Sequence, residues 1–469
     1  MLGMKEEWFG NIRMDILSGI VVGLALIPEA LAFAFIAGVD PRVALYASFT
    51  IAVVIAFVGG RPGMISASTG AMALVVISLV ADHGLQYLLA ATILTGVIQL
   101  LLGLFGVANL MRFIPNSVML GFVNALGIMI FLAQLPYLLG GGKMAYFYAG
   151  ITLILVYAIP RFFTLVPAPL IAIVFMTGIA FMSGVHLQTI GDLGTMPTTL
   201  PVFLLPDIPL SIETLKIILP YSIALAIVGL LESLLTAQVL DDMTDTPSDK
   251  NKEARGQGIA NFVNGFFGGM AGCALIGQSV INAKSGGRGR LSTFVAGAFL
   301  MFLIIVLGDL VIDIPMPVLV GVMIFVSATT FNWGSFKFLK QAPKSESTVM
   351  IVTVAIILLT NNLAIGVVSG VILSALFFIA KISNVTVSNQ KDVYYVKGPL
   401  FFASTAKFIR SFDDIHGGNV TIDFENSQIW DESAVGALLK VKQKLAQKGI
   451  TVHVRGLNSS SQQLYEKIM

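Results

Sequence analysis

Apolar runs of roughly 15–22 residues, bounded by charges, glycine or proline, recur along four fifths of the chain; this is the pattern of transmembrane helices. Fourteen segments are read, the first seven at approximately 15–37, 42–58, 67–82, 88–107, 115–138, 147–164 and 168–186. The second seven fall at approximately 219–240, 256–270, 275–284, 291–311, 315–332, 347–362 and 364–381. Two of them, 67–82 and 275–284, are short and interrupted by small residues. After Lys381 the pattern changes: 382–392 (ISNVTVSNQKD) reads as a polar linker and 393–469 as a soluble α/β unit. Its expected strands are VYYVKG and PLFFAS around a Lys397–Pro399 turn, then 419–424 and 450–454, with helices over roughly 404–412 and 432–448. The pattern predicts a polytopic α-helical membrane protein: a short arm (1–14), a transmembrane domain (15–381) and a C-terminal domain.

Composition agrees, with 56% hydrophobic and only 12% charged residues, where a soluble domain carries about a quarter charged. The net charge of +2 and the lack of a basic stretch interleaved with aromatics give no sign of a nucleic-acid partner. The lone cysteine, Cys273, excludes an intrachain disulfide and a cysteine metal cluster. His83, His186, His416 and His453 have no zinc-site spacing. The first residues, MLGMKEEWFGNIRMD, are too charged for a cleaved signal and read as a cytoplasmic arm with Trp8 and Phe9 at the interface. With that arm inside, the inner loops receive Lys5, Arg13, Arg61, Arg112, Arg161, Lys250, Lys252, Arg255, Arg288, Arg290, Lys337, Lys340, Lys344 and Lys381. The outer side receives only Arg42, Lys143 and Lys216, with Asp82, Asp192, Asp207, Asp309 and Asp313. The positive-inside rule therefore predicts a multi-pass protein of the cell membrane, both termini cytoplasmic.

The two halves repeat. IPNSVMLG (114–121) matches IPMPVLVG (314–321), and Gly96 and Gly297 precede them at nearly the same offset. GGRPGMISAST (59–69) resembles GGMAGCALIGQ (268–278), and VGLAL (22–26) resembles VGLLE (228–232). Seven spans per copy is odd, so the second copy must be inverted. Inverted repeats with interrupted helices mark secondary transporters that bind substrate near the midplane.

The interruptions carry the chemistry. Ile65–Ala71 and Gly272–Ser279 are rich in hydroxyls and small residues, which suits helix N-termini inside the membrane. Each such end bears roughly +0.5 charge and free N–H donors, so two ends aimed at one point favour an anion. Glu29 and Glu232 lie within apolar spans, where carboxylates are costly and usually functional. Thr236 shares a helix face with Glu232, which suits a Na⁺ site; a buried Glu alone suits a proton site. Two ends supply roughly +1 against up to −2 from the two glutamates. That balance predicts that a cation or proton accompanies the anion.

These motifs resemble the SulP family of sulfate permeases and related anion transporters, nearly end to end. LALIPEALAFAFIAGVDPRVALYASF (24–49) is similar to the family's opening signature, and GQSVINAKSGGRGRLS (277–292) to its tenth-span region. The C-terminal unit resembles a STAS domain. The resemblance implies core and gate domains, elevator-like alternating access and a homodimer. It implies substrate contacts from Ser68, Thr69 and Gly70, and from the backbone of Leu275, Ile276 and Gly277. Glu29 and Phe33 match pocket-lining positions, and Glu232 and Thr236 the cation site of sodium-dependent bicarbonate members. Gln278 stands where many animal exchangers have arginine, which favours cation coupling over simple exchange. In Asp431–Gly436 the phospho-acceptor position is Glu432, with Ser433 beside it, so assembly or scaffolding with a cytoplasmic partner is expected of the STAS unit rather than phosphorylation.

The expected function is Na⁺- or H⁺-coupled symport of a small inorganic anion, bicarbonate or sulfate, with no other cofactor. Alternatives are an anion exchanger, a C4-dicarboxylate transporter, a passive anion channel, a nucleobase permease of the same plan, or a membrane sensor signalling through STAS. An enzyme is not expected: no nucleophile–base set appears, and GGRGR (286–290) lacks a nucleotide loop's preceding strand and spacing.

Overall fold

A computed structural model describes residues 4–162, 166–192, 194–415 and 418–469. His416, the first three residues of the arm, the end of the sixth segment (163–164) and the side chain of Arg112 lie outside the described residues. The chain divides into two compact units, Met1–Val371 and Ile372–Met469.

All fourteen apolar segments are helices. After α1 (Met4–Phe9), the first copy runs α2 (Ile12–Ala37), α3 (Pro41–Val58), strand β1 (Ser66–Ser68), α4 (Gly70–His83), α5 (Leu85–Leu104), α6 (Asn116–Gly140), α7 (Gly142–Ala158) and α8 (Ala168–Ser183). The second runs α9 (Ile212–Thr244), α10 (Lys250–Phe266), strand β2 (Gly272–Ala274), α11 (Ile276–Lys284), α12 (Arg290–Ile312), α13 (Met316–Thr330), the short α14 (Ser335–Gln341), α15 (Lys344–Thr360) and α16 (Leu363–Ile382). Among the described residues nine helical stretches are long and apolar enough to cross a membrane; α4 and α8 are shorter apolar helices. Helix length alone therefore does not establish fourteen crossings. The segment expected at 67–82 opens within strand β1, and the one at 275–284 is α11, preceded by strand β2.

The repeat is visible in packing. Gly23 of α2 lies against the Ala296 carbonyl of α12, and its counterpart Gly229 of α9 against Gln99 of α5. Gly96 of α5 meets the backbone of α10 at Gly258 and Phe262, while Gly297 of α12 meets α3 at Phe49 and Ala52. Gly121 of α6 packs on Thr353 of α15, and Gly321 of α13 on Thr152 of α7. Equivalent helices thus exchange equivalent partners, as a two-fold relation requires. Small residues are needed because helices crossing within lipid gain their attraction from close backbone approach.

Polar links join the segment ends in two sets of loops. In one set, Arg290 pairs with Glu7, Arg61 and Lys250 pair with Asp241, and Asp15 accepts from the N–H groups of Arg288 and Gly289. The GGRGR loop is thus a structural clasp. In the other, Asp40 accepts from Thr195, Asp192 from Thr189, and Gln86 from the Asp207 N–H. Trp8 stacks on Phe57 with ring centroids 4.8 Å apart, so the arm packs on helices while Phe9 stays exposed.

The second unit carries a four-stranded sheet, β3 (Thr386–Gln390), β4 (Val393–Lys397), β5 (Asn419–Asn426) and β6 (Thr451–Arg455), in that order. The first pair is antiparallel and the others parallel. Helices α17 (Thr405–Arg410), α18 (Glu432–Gln447) and α19 (Ser459–Ile468) complete it. Two expectations are corrected. The residues read as a linker hold β3, whose exposed polar side chains hid an edge strand. PLFFAS is a turn, not a strand: Ser404 holds the carbonyls of Pro399 and Phe401, and only Leu400 bridges to Ile429. Asp431 caps α18 by accepting from Ala434 N–H and also from Phe402 N–H, which explains the aspartate without any phosphorylation.

A Cβ at Gly258 would stand 2.4 Å from the Leu100 amide, whereas one at Gly277 meets nothing within 4 Å. Gly258→Leu is expected to lower the thermal unfolding midpoint of detergent-solubilised protein, by the equivalent of at least about 1–3 kcal/mol of overpacking. Gly277→Ala is expected to leave it unchanged. Equal midpoints would contradict the close crossing.

Candidate functional site

The sequence Ser66-Ala67-Ser68 and its counterpart Gly272-Cys273-Ala274 form an antiparallel ladder deep in the first unit, every residue buried. Ala67 pairs with Cys273, flanked by Ser66 with Ala274 and Ser68 with Gly272. β1 and α4 begin at the same distance before β2 and α11 as Val22 stands before Val228, so in the structure the central pair joins equivalent residues of the two copies, and the alignment of 59–69 with 268–278 read from sequence is shifted from this pairing. Antiparallel pairing of equivalents means that the copies run in opposite directions here. Glycine is required at 272, where a Cβ would stand 2.2 Å from the Ala67 carbonyl oxygen.

Buried side chains satisfy the rest of the broken backbone. Asn261 accepts from the Gly272 N–H and donates to its carbonyl, both at 2.9 Å. Ser233 accepts from Ala274 N–H, Ser279 from Ile65 N–H, and Gln257 donates to the Ser66 hydroxyl. Nothing in lipid could take their place.

A helix starts at each end of the ladder. Thr69 caps α4, its Oγ1 accepting from Met72 N–H. Leu275 precedes α11 and offers no side-chain cap, so the N–H groups of that first turn have no intrahelical partner. The two ends differ in cover. Gly70 is roofed by the Phe33 ring, 2.9 Å from where a Cβ would be, and by Ile130 of α6. Gly277 is exposed and opens on free space.

The expected residues gather around this ladder in two groups. Glu29 Oε1 accepts from Gln278 Nε2 at 2.7 Å, joining the middle of α2 to the first turn of α11. Glu232 Oε2 accepts from Cys273 Sγ at 2.9 Å, and Cys273 Sγ lies 3.1 Å from Thr69 Oγ1. Cys273 therefore connects the α4 cap to the Glu232 carboxylate. Ser68 Oγ turns toward Ser48 Oγ at 2.8 Å. Thr236 Oγ1 donates to the Glu232 main-chain oxygen, so as placed the hydroxyl and the carboxylate do not converge. Among the described residues no group of three or more His, Cys, Asp or Glu could hold a metal ion.

Sequence reasoning missed the supporting set of Ser48, Gln99, Ser233, Gln257 and Asn261, although it included Ser279 in the second interruption. A signal existed: Gln257, Asn261 and Asn264 form a polar stripe at helical spacing on α10, and all three are buried.

Cys273→Ala strips Thr69 and Glu232 of a shared partner, which costs about 1–3 kcal/mol for a buried group left unsatisfied. A lowered unfolding midpoint in detergent is expected for Cys273→Ala, with recovery in Cys273→Ser, which keeps a donor and acceptor. Equal midpoints for wild type and Cys273→Ala would remove the connection.

Known proteins share this plan. The sulfate permease family pattern matches residues 12–152 and 143–353, and the STAS domain pattern residues 384–468. YbaR of Bacillus subtilis (strain 168), whose name assigns it provisionally to sulfate transport, is 58% identical, the match covering 99% of this chain and 98% of YbaR. The bicarbonate transporter BicA of Picosynechococcus is 29% identical over 82% of this chain and 74% of its own. The solved transmembrane domain of a cyanobacterial BicA superposes with a TM-score of 0.68 at 26% identity, covering 78% of this chain and 98% of that one. Murine solute carrier 26 family member A9 shares the fold at a TM-score of 0.83 and 19% identity, covering 98% and 88%. The chain belongs to the sulfate permease family of membrane transporters and carries a C-terminal STAS domain.

Proposed function

We propose that this member of the sulfate permease family is a secondary active transporter of a small inorganic anion, bicarbonate or sulfate, coupled to Na⁺ or H⁺. The observation that carries the reading is the buried ladder with a helix N-terminus at each end and two carboxylates beside it. The helix ends attract an anion, and the carboxylates oppose it unless a cation enters too. The names of BicA and YbaR favour bicarbonate and sulfate respectively.

In this reading the chain crosses the cell membrane fourteen times as a homodimer, with the arm and STAS domain cytoplasmic and the latter engaging a partner there. Helices α2–α5 and α9–α12 form the moving core, and α6–α8, α13, α15 and α16 the gate. An apolar cavity of about 380 Å³ between α2 and α12 on one side and α8 on the other leaves the two loosely joined, which suits elevator-like movement.

The test is uptake of labelled bicarbonate and sulfate into proteoliposomes, with and without inward Na⁺ or proton gradients, for wild type and Glu232→Gln. Saturable, gradient-driven uptake reduced at least tenfold by the substitution is expected. Uptake indifferent to both gradients and to Glu232 would move the assignment to exchange or channelling.

A further inference from the structure

Gln278 carries a feature that the transport reading leaves unused. Its amide Nε2 donates to Glu29, while its Oε1 is buried without any hydrogen-bond partner. The residue is 3% exposed and sits in the first turn of α11, next to Gly277, where that helix end opens on free space. A buried orphan acceptor carries the full cost of its desolvation. Beside a helix N-terminus it also presents negative charge where the end itself attracts anions.

Among the described residues Glu29 has no charged partner. Helices α3, α4, α8, α11, α12 and α13 pack on α2, and Tyr137 of α6 donates to its Phe35 carbonyl. Their titratable side chains are Arg42 and Tyr46, Asp82 and His83, Lys284, and Arg290 and Asp309, with none on α8 or α13. On α2 itself the others are Arg13 and Asp15. Most stand near a helix end, and no hydrogen bond or ion pair joins any of them to mid-helix Glu29, whose sole bonded side chain is Gln278.

Resting on the transport reading, we propose that Gln278 is the positioning residue through which a proton on Glu29 opens the α11 end to the anion. With Glu29 ionised, the amide donates to the carboxylate and its oxygen is left buried and unpartnered, as observed. When Glu29 takes a proton, its carboxyl O–H donates to Gln278 Oε1, and the amide turns over about its last torsion. The two Nε2 hydrogens are then free for an anion at the open helix end. No covalent bond changes except the O–H formed on Glu29. One proton enters with one anion, so a monoanion moves without net charge and a dianion carries one negative charge. An arginine at 278 would offer donors permanently and abolish the switch.

The experiment measures affinity of the purified full-length protein for whichever of labelled sulfate or bicarbonate the uptake assay shows to be carried, across pH. Wild type is expected to gain affinity toward about tenfold per unit fall in pH over the window in which the linked proton binds. Gln278→Met is expected to flatten that dependence to under twofold while still binding. Glu29→Gln, whose amide N–H replaces the carboxyl O–H, is expected to hold the wild-type low-pH affinity at every pH. A Gln278→Met protein that keeps the wild-type slope overturns the inference, as does a wild type that takes up anion saturably with pH-independent affinity. Both leave the transport reading standing. Absence of saturable uptake of either anion by wild type overturns the transport reading itself.

Discussion

A backbone group within lipid must find its partner inside the protein, and this chain interrupts its helices there twice. The three-residue ladder between Ser66–Ser68 and Gly272–Ala274 is what makes that possible. It pairs the two breaks with each other, and Asn261, Ser233, Gln257 and Ser279 satisfy what the ladder leaves over. Everything chemically distinctive follows from it. Two helices start in the interior, two carboxylates stand near their ends, and the two-fold relation between copies passes through the Ala67–Cys273 pair.

The remainder of the first unit holds that ladder while leaving it usable. Gly96, Gly258 and Gly265 let α5 and α10 cross at backbone contact, and Gly19, Gly23 and Gly297 do the same for α12 against α2 and α3. The α4 end is roofed by Phe33 and Ile130, and the α11 end is open at Gly277. In the proposed reading this asymmetry gives an anion one way in. It also places Gln278, rather than any fixed cation, at the entrance.

The sequence made much of this legible for identifiable reasons. Fourteen helices showed because apolar length is a strong signal, and the repeat because Gly121/Gly321 and Gly96/Gly297 perform equivalent packing. The breaks showed because hydroxyl-bearing and small residues cut the apolar runs short at 65–71 and 272–279. The polar support did not: Gln99, Asn261 and Cys273 become partners only through contacts between helices far apart in sequence. In the second unit β3 was missed because an exposed edge strand lacks alternating apolar residues, and PLFFAS misread because its aromatic run imitates one.

The central claim is that the anion occupies the open α11 end. A cysteine introduced by Gly277→Cys has room there, while native Cys273 is buried and serves as an unlabelled background. The most direct measurement is the rate at which a membrane-impermeant thiol reagent modifies Gly277→Cys protein as the transported anion is titrated in. Slowing that saturates at the concentration half-saturating uptake is the predicted result. Modification unaffected by an anion that is nonetheless taken up saturably would place the binding site elsewhere.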